Sequence, residues 1–131
     1  MTESAVAKKL RLKSGMKAAV INAPSGYTNQ LGVHVDTTVE GKPDASLDFV
    51  QIFVKSGAEV EKHVPAAVHV LKNDALLWIS YPKGTSKIKT ELNRDILWKA
   101  MEKYKMAGIF MVAIDDTWSA MRFRPADKVG K

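Results

Sequence analysis

The feature that most constrains this chain is a series of short apolar runs, each about one strand long, separated by polar or helical segments. Four such runs, rich in Val, Ile, Leu and Phe, occupy residues 17–21, 47–54, 75–80 and 109–114. Runs with so few polar interruptions are typical of strands that are covered on both faces. The pattern therefore predicts a parallel sheet whose strands are joined by right-handed crossovers.

The segments between these runs carry helix signals. Ser56 and Glu59 match a capping box, in which both side chains accept hydrogen bonds from free N–H groups at a helix start. Apolar residues then recur on one helix face over residues 60–71, although Pro65 predicts a kink or a split. A second helix is predicted over residues 93–105.

Two further strands complete the predicted order. Residues 33–39 alternate apolar and polar side chains, which is the pattern of a half-buried strand. Residues 118–124 follow the last apolar run so closely that the two should pair as an antiparallel hairpin. With a short helix over residues 25–31, the order is strand, short helix, strand, strand, helix, strand, helix, strand, strand. The helix that follows Ser56 is expected to end at residues 73–74.

Length and composition limit the classes of protein to which this chain can belong. The 131 residues fit one α/β domain over the whole chain, with residues 1–14 expected to be basic and loosely ordered and residues 125–131 a polar tail. The absence of cysteine excludes disulfides, thiolate zinc sites and thiol catalysis. The N-terminus lacks an apolar signal region, and no apolar run approaches the roughly 18 residues of a membrane span. A cytoplasmic protein is therefore expected.

The charge is the one bulk property that points to a partner. The formal net charge of +6 suggests an acidic partner, such as a nucleic acid, a phosphate-bearing small molecule or a membrane surface. A solvated basic surface that aids solubility is the alternative explanation.

The order of elements after residue 47 carries a resemblance to a known family. Residues 47–123 resemble the second half of the class I methyltransferases, which ends with strand, helix, strand, helix, strand and a final antiparallel strand. Residues 70–80 look like the segment that leads into the fifth strand of that family, and residues 16–22 look like the start of its first motif. The resemblance implies a three-layer, Rossmann-like α/β fold with a mostly parallel sheet that ends in an antiparallel hairpin strand.

Two short motifs are similar to those of a second group, the members of an uncharacterised family of small bacterial domains of unknown function. They are W-x-x-x-P-K at residues 78–83 and W-S-A-x-R at residues 118–122. This resemblance covers most of the chain, from about residue 10 to residue 125, but it implies no assigned chemistry.

The first loop departs from the methyltransferase pattern, in which several glycines let the backbone approach the cofactor. Residues 22–27 contain one glycine and Pro24, so they offer little close-approach room and one N–H donor fewer. The chain also skips one helix–strand unit before residue 47. Glu40 could occupy the position at which an acidic residue hydrogen-bonds a ribose, but it is interpreted as a surface carboxylate. No cofactor is evident, and S-adenosylmethionine is kept as an alternative.

The candidate site follows from the fold, because open α/β sheets bind ligands outside the carboxyl ends of their parallel strands. The connection over residues 81–95 combines lysines and hydroxyls with a helix start, where free N–H groups can receive an anion. A mobile, solvated basic loop is the alternative, and Trp118 could either stack on a ring or pack the rim of the sheet. The candidate ligand-binding residues are Asn22, Ser25, Gly26, Tyr27, Lys83, Thr85, Ser86, Lys87, Lys89, Arg94, Asp116 and Trp118.

Metal and hydrolase chemistry have no support in the sequence. His34, His63 and His69 lack the spacing of metal ligands, so no metal site is expected. A Gly-x-Ser-x-Gly motif, which would indicate a hydrolase nucleophile, does not occur.

Three functions are compatible with these observations. The first is a small, non-enzymatic binding module on a degenerate methyltransferase-like sheet, with an anionic ligand or a protein partner. The second is a minimal methyltransferase that uses S-adenosylmethionine, and the third is a basic accessory protein that binds nucleic acid. Trp98 and other apolar residues off the inner helix faces could pack a homodimer.

Overall fold

A five-stranded mixed sheet organises the residues that the computed structural model describes, namely 4–84, 88 and 90–128. Short 3-10 turns lie at Thr28–Gln30 and Ala126–Lys128. The strands are β1 (Ala18–Ile21), β2 (Leu47–Phe53), β3 (Leu71–Pro82), β4 (Met106–Ala113) and β5 (Trp118–Pro125), and the helices are α1 (Ala5–Lys9), α2 (Gly57–Val70) and α3 (Arg94–Glu102).

The strand order is β1-β2-β3-β5-β4. The first three strands are parallel, with Ile21 opposite Ile52 in the β1–β2 pair and Ile52 opposite Ile79 in the β2–β3 pair. Strand β5 then inserts antiparallel between β3 and β4. The predicted fold class is therefore confirmed, including the antiparallel hairpin formed by β4 and β5.

Two cores lie on the two faces of the sheet, because successive residues of a strand point to opposite sides. The first core holds Val50 and Ile52 of β2 against α2 and α3. The second core holds Phe49 and Phe53 of the same strand against α1 and the loop after β1. This two-sided burial explains why β2 is almost uniformly apolar.

The capping signal before α2 is confirmed, with one difference. The Ser56 hydroxyl accepts a hydrogen bond of 3.2 Å from the Glu59 N–H group. The Glu59 carboxylate, however, accepts from the N–H group of Lys55 at 2.6 Å. The predicted split at Pro65 does not occur, since α2 runs through that residue. The helix ends at Val70, and β3 begins at once, so residues 73–74 belong to the strand.

Residues 4–12 are packed, although the sequence predicts loose order over residues 1–14. Ser4 caps α1, and Ala7, Leu10 and Leu12 are buried in the second core. The indole N–H group of Trp78 donates a hydrogen bond of 3.0 Å to the Leu10 carbonyl oxygen. Because a buried indole N–H needs an acceptor, this bond joins the segment to the centre of the sheet.

The predicted strand over residues 33–39 is wrong, because only Asp36 pairs, in an isolated parallel bridge with Ala19. Val33 and Val35 are partly buried against the second core. Their alternation with polar residues therefore reflects the packing of a loop onto the sheet. The other elements differ in their bounds, and α3 ends three residues before the predicted residue 105.

Strand β4 forms the open edge of the sheet, and its apolar side chains are less buried than those of the inner strands. The exposed large apolar side chains among the described residues lie here and on the neighbouring α3: Ile96, Trp98, Phe110 and Met111. None of the helices that the structure describes is long and apolar enough to cross a membrane.

Candidate functional site

The carboxyl ends of β1, β2 and β3 meet at one edge of the sheet because the three strands are parallel. This strand-end edge consists of residues 22–27, 55–59 and the described residues of 83–93. Ligands of open α/β sheets lie at such an edge. Five of the eight candidate residues that the structure describes fall there: Asn22, Ser25, Gly26, Tyr27 and Lys83.

Asn22 ties the end of β1 to the end of β2. Its backbone is in the left-handed region, with φ of 61°. Its side-chain amide donates hydrogen bonds to the Phe53 carbonyl oxygen at 2.8 Å and to the Glu59 carboxylate at 3.2 Å. Both amide hydrogens are thus used within the protein, and the side-chain oxygen is the group that Asn22 can still offer to a ligand.

Tyr27 lies beneath the edge. Its hydroxyl donates a hydrogen bond of 2.8 Å to Gln51 Oε1, and Gln51 Nε2 in turn donates to Ser80 Oγ at 2.9 Å. All three residues are buried, and burial raises the pKa of the Tyr27 hydroxyl above its usual range. The structure therefore gives Tyr27 a place in a buried polar chain that fastens the loop to two strands.

Ser25 and Gly26 are the accessible part of the same loop. Both are exposed, and Gly26 has φ of 83°, a conformation that glycine adopts without steric cost. A Cβ atom at Gly26 would have no atom within 4 Å, so the backbone there faces open space. A ligand can approach the loop most closely at this residue.

Trp118 is buried in the second core, on one face of the sheet. Its ring lies edge-to-face on Phe53 with centroids 4.9 Å apart, and Phe53 makes the same kind of contact with Tyr27 at 4.7 Å. The carboxylate of Asp115 accepts hydrogen bonds from the N–H groups of Thr117 and Trp118, each at 2.8 Å. Of the two interpretations of Trp118, packing is the one that this geometry supports. Asp116 is exposed in the adjoining turn.

The two helix starts at the strand-end edge are already occupied by side chains of the protein. The Glu91 carboxylate accepts a hydrogen bond of 2.7 Å from the Gly57 N–H group, at the start of α2. The Asn93 side-chain oxygen accepts from the Ile96 N–H group at 2.8 Å, at the start of α3. A carboxylate at a helix N-terminus takes the place that an external anion would use.

The basic residues predicted for this edge are only partly within the described chain. Lys83 is half-buried, and its N–H group donates to the Thr117 carbonyl oxygen at 2.8 Å. Arg94 is exposed beside Asp95, with a nitrogen–oxygen distance of 3.5 Å. The predicted residues Thr85, Ser86, Lys87 and Lys89 lie outside the described residues.

Three residues have roles that sequence reasoning did not identify. Gln51 and Ser80 form the buried polar chain, and Glu91 holds the first N–H group of α2. A signal for Gln51 was present, because it is a polar residue inside an otherwise apolar run. Glu91 carried no signal, since its partner Gly57 is 34 positions away in the chain.

Two cavities lined by described residues lie away from the loop after β1. One of about 900 Å³ is at the opposite edge of the sheet, against Trp98, Tyr104, Met106 and Pro125. Another, of about 660 Å³, lies beside α1. No group of three or more His, Asp or Glu side chains comes together as a metal site in the described part of the chain.

Comparisons with known proteins identify the fold. No family model and no curated protein matches the chain. A SAM-dependent methyltransferase from Aquifex aeolicus superposes with a TM-score of 0.66 at 17% identity, covering 90% of this chain and 86% of that one. The 1,6-didemethyltoxoflavin-N1-methyltransferase of Burkholderia thailandensis, solved with S-adenosylhomocysteine, gives 0.63 at 10% identity, with 93% and 79% covered.

The cyclase SpnF also superposes, with a TM-score of 0.64 at 9% identity over 91% of this chain and 78% of that one. Proteins with this fold thus include one described by a reaction other than methyl transfer, and these identities establish the fold alone. The predicted membership of the group of small bacterial domains stays a prediction, as does a homodimer. The chain has the Rossmann-like fold of the class I methyltransferases.

Proposed function

We propose that the chain binds S-adenosylmethionine at its strand-end edge and acts as a small methyltransferase. The observation that carries the proposal is the strand arrangement β1-β2-β3-β5-β4, which superposes over 90% of the chain on a SAM-dependent methyltransferase. One structural neighbour was solved with S-adenosylhomocysteine bound. The proposal takes the enzymatic alternative over the non-enzymatic module that the sequence suggests first.

Ser25 and Gly26 are the residues that fit such a ligand. The open space at Gly26 lets a ligand approach the backbone, and the exposed Ser25 hydroxyl can donate and accept hydrogen bonds. When bound, S-adenosylmethionine supplies an activated methyl group. The part of these two residues is to hold the ligand over the end of β1.

The other half of the loop offers less to a ligand. Pro24 has no N–H group, and both amide hydrogens of Asn22 are engaged by Phe53 and Glu59. With so few free donors we expect a dissociation constant on the order of 0.1 mM, which corresponds to roughly −5.5 kcal/mol.

An anionic ligand at the same edge has less support. The start of α3, where the sequence predicts such a ligand, is capped by the Asn93 side chain, and at the start of α2 the Glu91 carboxylate already accepts the Gly57 N–H bond. Placing a second negative charge beside Glu91 is unfavourable, because like charges at close range repel. Binding of phosphates there would require Glu91 to move.

Isothermal titration calorimetry with S-adenosylmethionine, S-adenosylhomocysteine and ATP tests the proposal. We expect saturable binding of both S-adenosyl compounds and none of ATP, which shares the adenosine but adds three phosphates. Absence of binding by either S-adenosyl compound at millimolar concentration would contradict the proposal. Binding of ATP with no binding of either S-adenosyl compound would also contradict the proposal.

A further inference from the structure

A basic groove lies at the amino ends of the parallel strands, opposite the strand-end edge. It is a cavity of about 660 Å³ whose apolar floor is formed by Leu12, Met16 and Leu76. Three cationic side chains, Lys8, Arg11 and Lys13, line it. We define the basic groove by these six residues.

The groove exists because the short helix α1 ends in a tight turn. The N–H group of Leu12 donates to the Ala7 carbonyl oxygen at 2.8 Å, and that of Arg11 donates to the Lys8 carbonyl oxygen at 3.1 Å. These two bonds form a Schellman motif, which requires a left-handed residue just after the helix. Here that residue is Arg11, with φ of 63°.

Arginine is a disfavoured choice at that position. Glycine is usual there because its lack of a Cβ atom removes the steric cost of the left-handed conformation. The buried neighbours Leu10 and Leu12 fix the turn, so the exposed Arg11 side chain is held at the surface. An arginine kept where the backbone favours glycine suggests that its side chain has a use.

The charge around the groove is strongly one-sided. Residues 4–17 carry five cationic residues and no carboxylate. The nearby Asp48 is neutralised locally, since it accepts from Lys72 Nζ at 2.8 Å and from the Lys17 N–H group at 2.9 Å. Lys8, Arg11 and Lys13 form no ion pair with any residue that the structure describes. A large share of the +6 net charge is therefore concentrated here, with no counter-ion among the described residues.

We propose that the basic groove binds the phosphate backbone of a nucleic acid. Several exposed cations along one groove suit a polyanion, whose binding releases counterions at each neutralised phosphate. The recessed apolar floor can receive a sugar or a base. A single phosphate would be held poorly, since the three cations are all exposed.

A membrane surface fits the groove less well. Membrane-surface helices insert a protruding apolar face into the lipid, but α1 has only five residues. The exposed large apolar side chains among the described residues belong to α3 and β4, and none of them lines the groove. The site is also separate from the strand-end edge, so it does not depend on the proposed S-adenosylmethionine binding.

The first test compares two triple variants that each remove three positive charges. K8Q/R11Q/K13Q alters the groove, whereas K62Q/K99Q/K105Q alters exposed lysines elsewhere. Fluorescence anisotropy with a labelled oligonucleotide of about 16 nucleotides, the upper end of the sites that small single-strand-binding domains cover, measures affinity. For three phosphates the slope of log affinity against log salt should be about −2 with single strands. The groove variant should lose about tenfold or more in affinity and most of this slope, while the control variant should lose little.

Arg11→Gly separates binding from folding. Because glycine suits the left-handed position, this variant should melt at a higher temperature than the parent chain and still bind the oligonucleotide more weakly. Equal losses in the two triple variants would overturn the proposal, since net charge alone would then explain binding. Absence of oligonucleotide binding by the parent chain at about 50 mM salt, or binding only to anionic lipid vesicles, would also overturn it.

Discussion

Tyr27 donates a hydrogen bond of 2.8 Å to Gln51 Oε1 in the interior, although Tyr27 comes from a loop and Gln51 from the middle of β2. Gln51 Nε2 continues the chain to Ser80 Oγ on β3, at 2.9 Å. Buried polar groups are stable only when they are paired, so each member depends on the next. The chain fixes the path of the loop that begins at Asn22.

Tyr27→Phe should lower the free energy of unfolding by about 1–2 kcal/mol, because Gln51 Oε1 would lose its donor while remaining buried. Tyr81→Phe is a matched control. The Tyr81 hydroxyl donates at 3.4 Å to the Met111 sulfur, a weak acceptor, so we expect a loss of about 0.5 kcal/mol or less. Chemical denaturation measures both values. Equal losses in the two variants would show that the hydrogen bond to Gln51 stabilises the fold no more than the weak Tyr81–Met111 contact does.

The same tyrosine predicts a loss of stability in alkali. Burial raises the pKa of Tyr27 above its ordinary value of 10.0, so the folded state holds this proton more tightly than the unfolded state does. Its contribution is complete below about pH 10 and is lost as the pH rises through the folded pKa, by at most about 1.4 kcal/mol per pH unit. The Tyr27→Phe variant has no ionisable hydroxyl at this position, so it lacks this pH-dependent contribution to stability.

The stability advantage of the parent chain over Tyr27→Phe should therefore be constant up to about pH 10 and shrink between about pH 10 and pH 11. Denaturant titrations of both proteins at several pH values measure the difference directly. Because lysines and the other tyrosines titrate in both proteins alike, the difference isolates Tyr27. A constant difference over this range would mean that Tyr27 ionises normally in the folded protein.

Local patterns were sufficient to predict most of the sheet and the cap of α2. Strand β2 is apolar because it is buried on both faces, and Ser56 caps the helix within three residues of its own position. The segment over residues 33–39 shows where such patterns fail. Val33 and Val35 alternate with polar residues as in a strand, but they pack as a loop against the second core.

The candidate site could be predicted only in outline. The carboxyl ends of the strands locate its edge, but the partners of Asn22 are Phe53 and Glu59, 31 and 37 positions away. Pairings over such distances depend on the folded topology and leave no periodic trace in the sequence. The basic N-terminal segment was visible as charge, whereas its docking through Leu10 onto Trp78 required the three-dimensional structure.

Gly108 on β4 is predicted to tolerate no side chain without cost. A Cβ atom there would lie 2.7 Å from the Met121 sulfur and 3.5 Å from the Phe123 ring. Gly108→Ala should therefore destabilise the fold by about 1–2 kcal/mol, the lower part of the range for overpacking, because the Met121 side chain can rotate partly away.

Gly84→Ala is the control for this substitution, since a Cβ atom at Gly84 has no atom within 4 Å. We expect a change within about 0.5 kcal/mol, as at ordinary surface positions. Thermal or chemical denaturation of the two variants gives the comparison. Similar stabilities for both would indicate that β4 moves away from β5 more easily than the packing of Met121 suggests.

Gly26 and Gly15 provide a pair that tests where S-adenosylmethionine binds. Gly26 follows β1 at the strand-end edge, whereas Gly15 precedes β1 at the opposite edge; their φ angles are 83° and 91°, and neither Cβ position has an atom within 4 Å. Alanine at either position should cost about 1 kcal/mol of stability through backbone strain.

Only alanine at Gly26 would place a methyl group against the proposed ligand. Calorimetric titration should therefore show a dissociation constant about tenfold higher for Gly26→Ala, equivalent to roughly 1.4 kcal/mol, and an unchanged one for Gly15→Ala. Equal effects in both variants would trace the loss to stability, and no effect in either would place the ligand away from this loop.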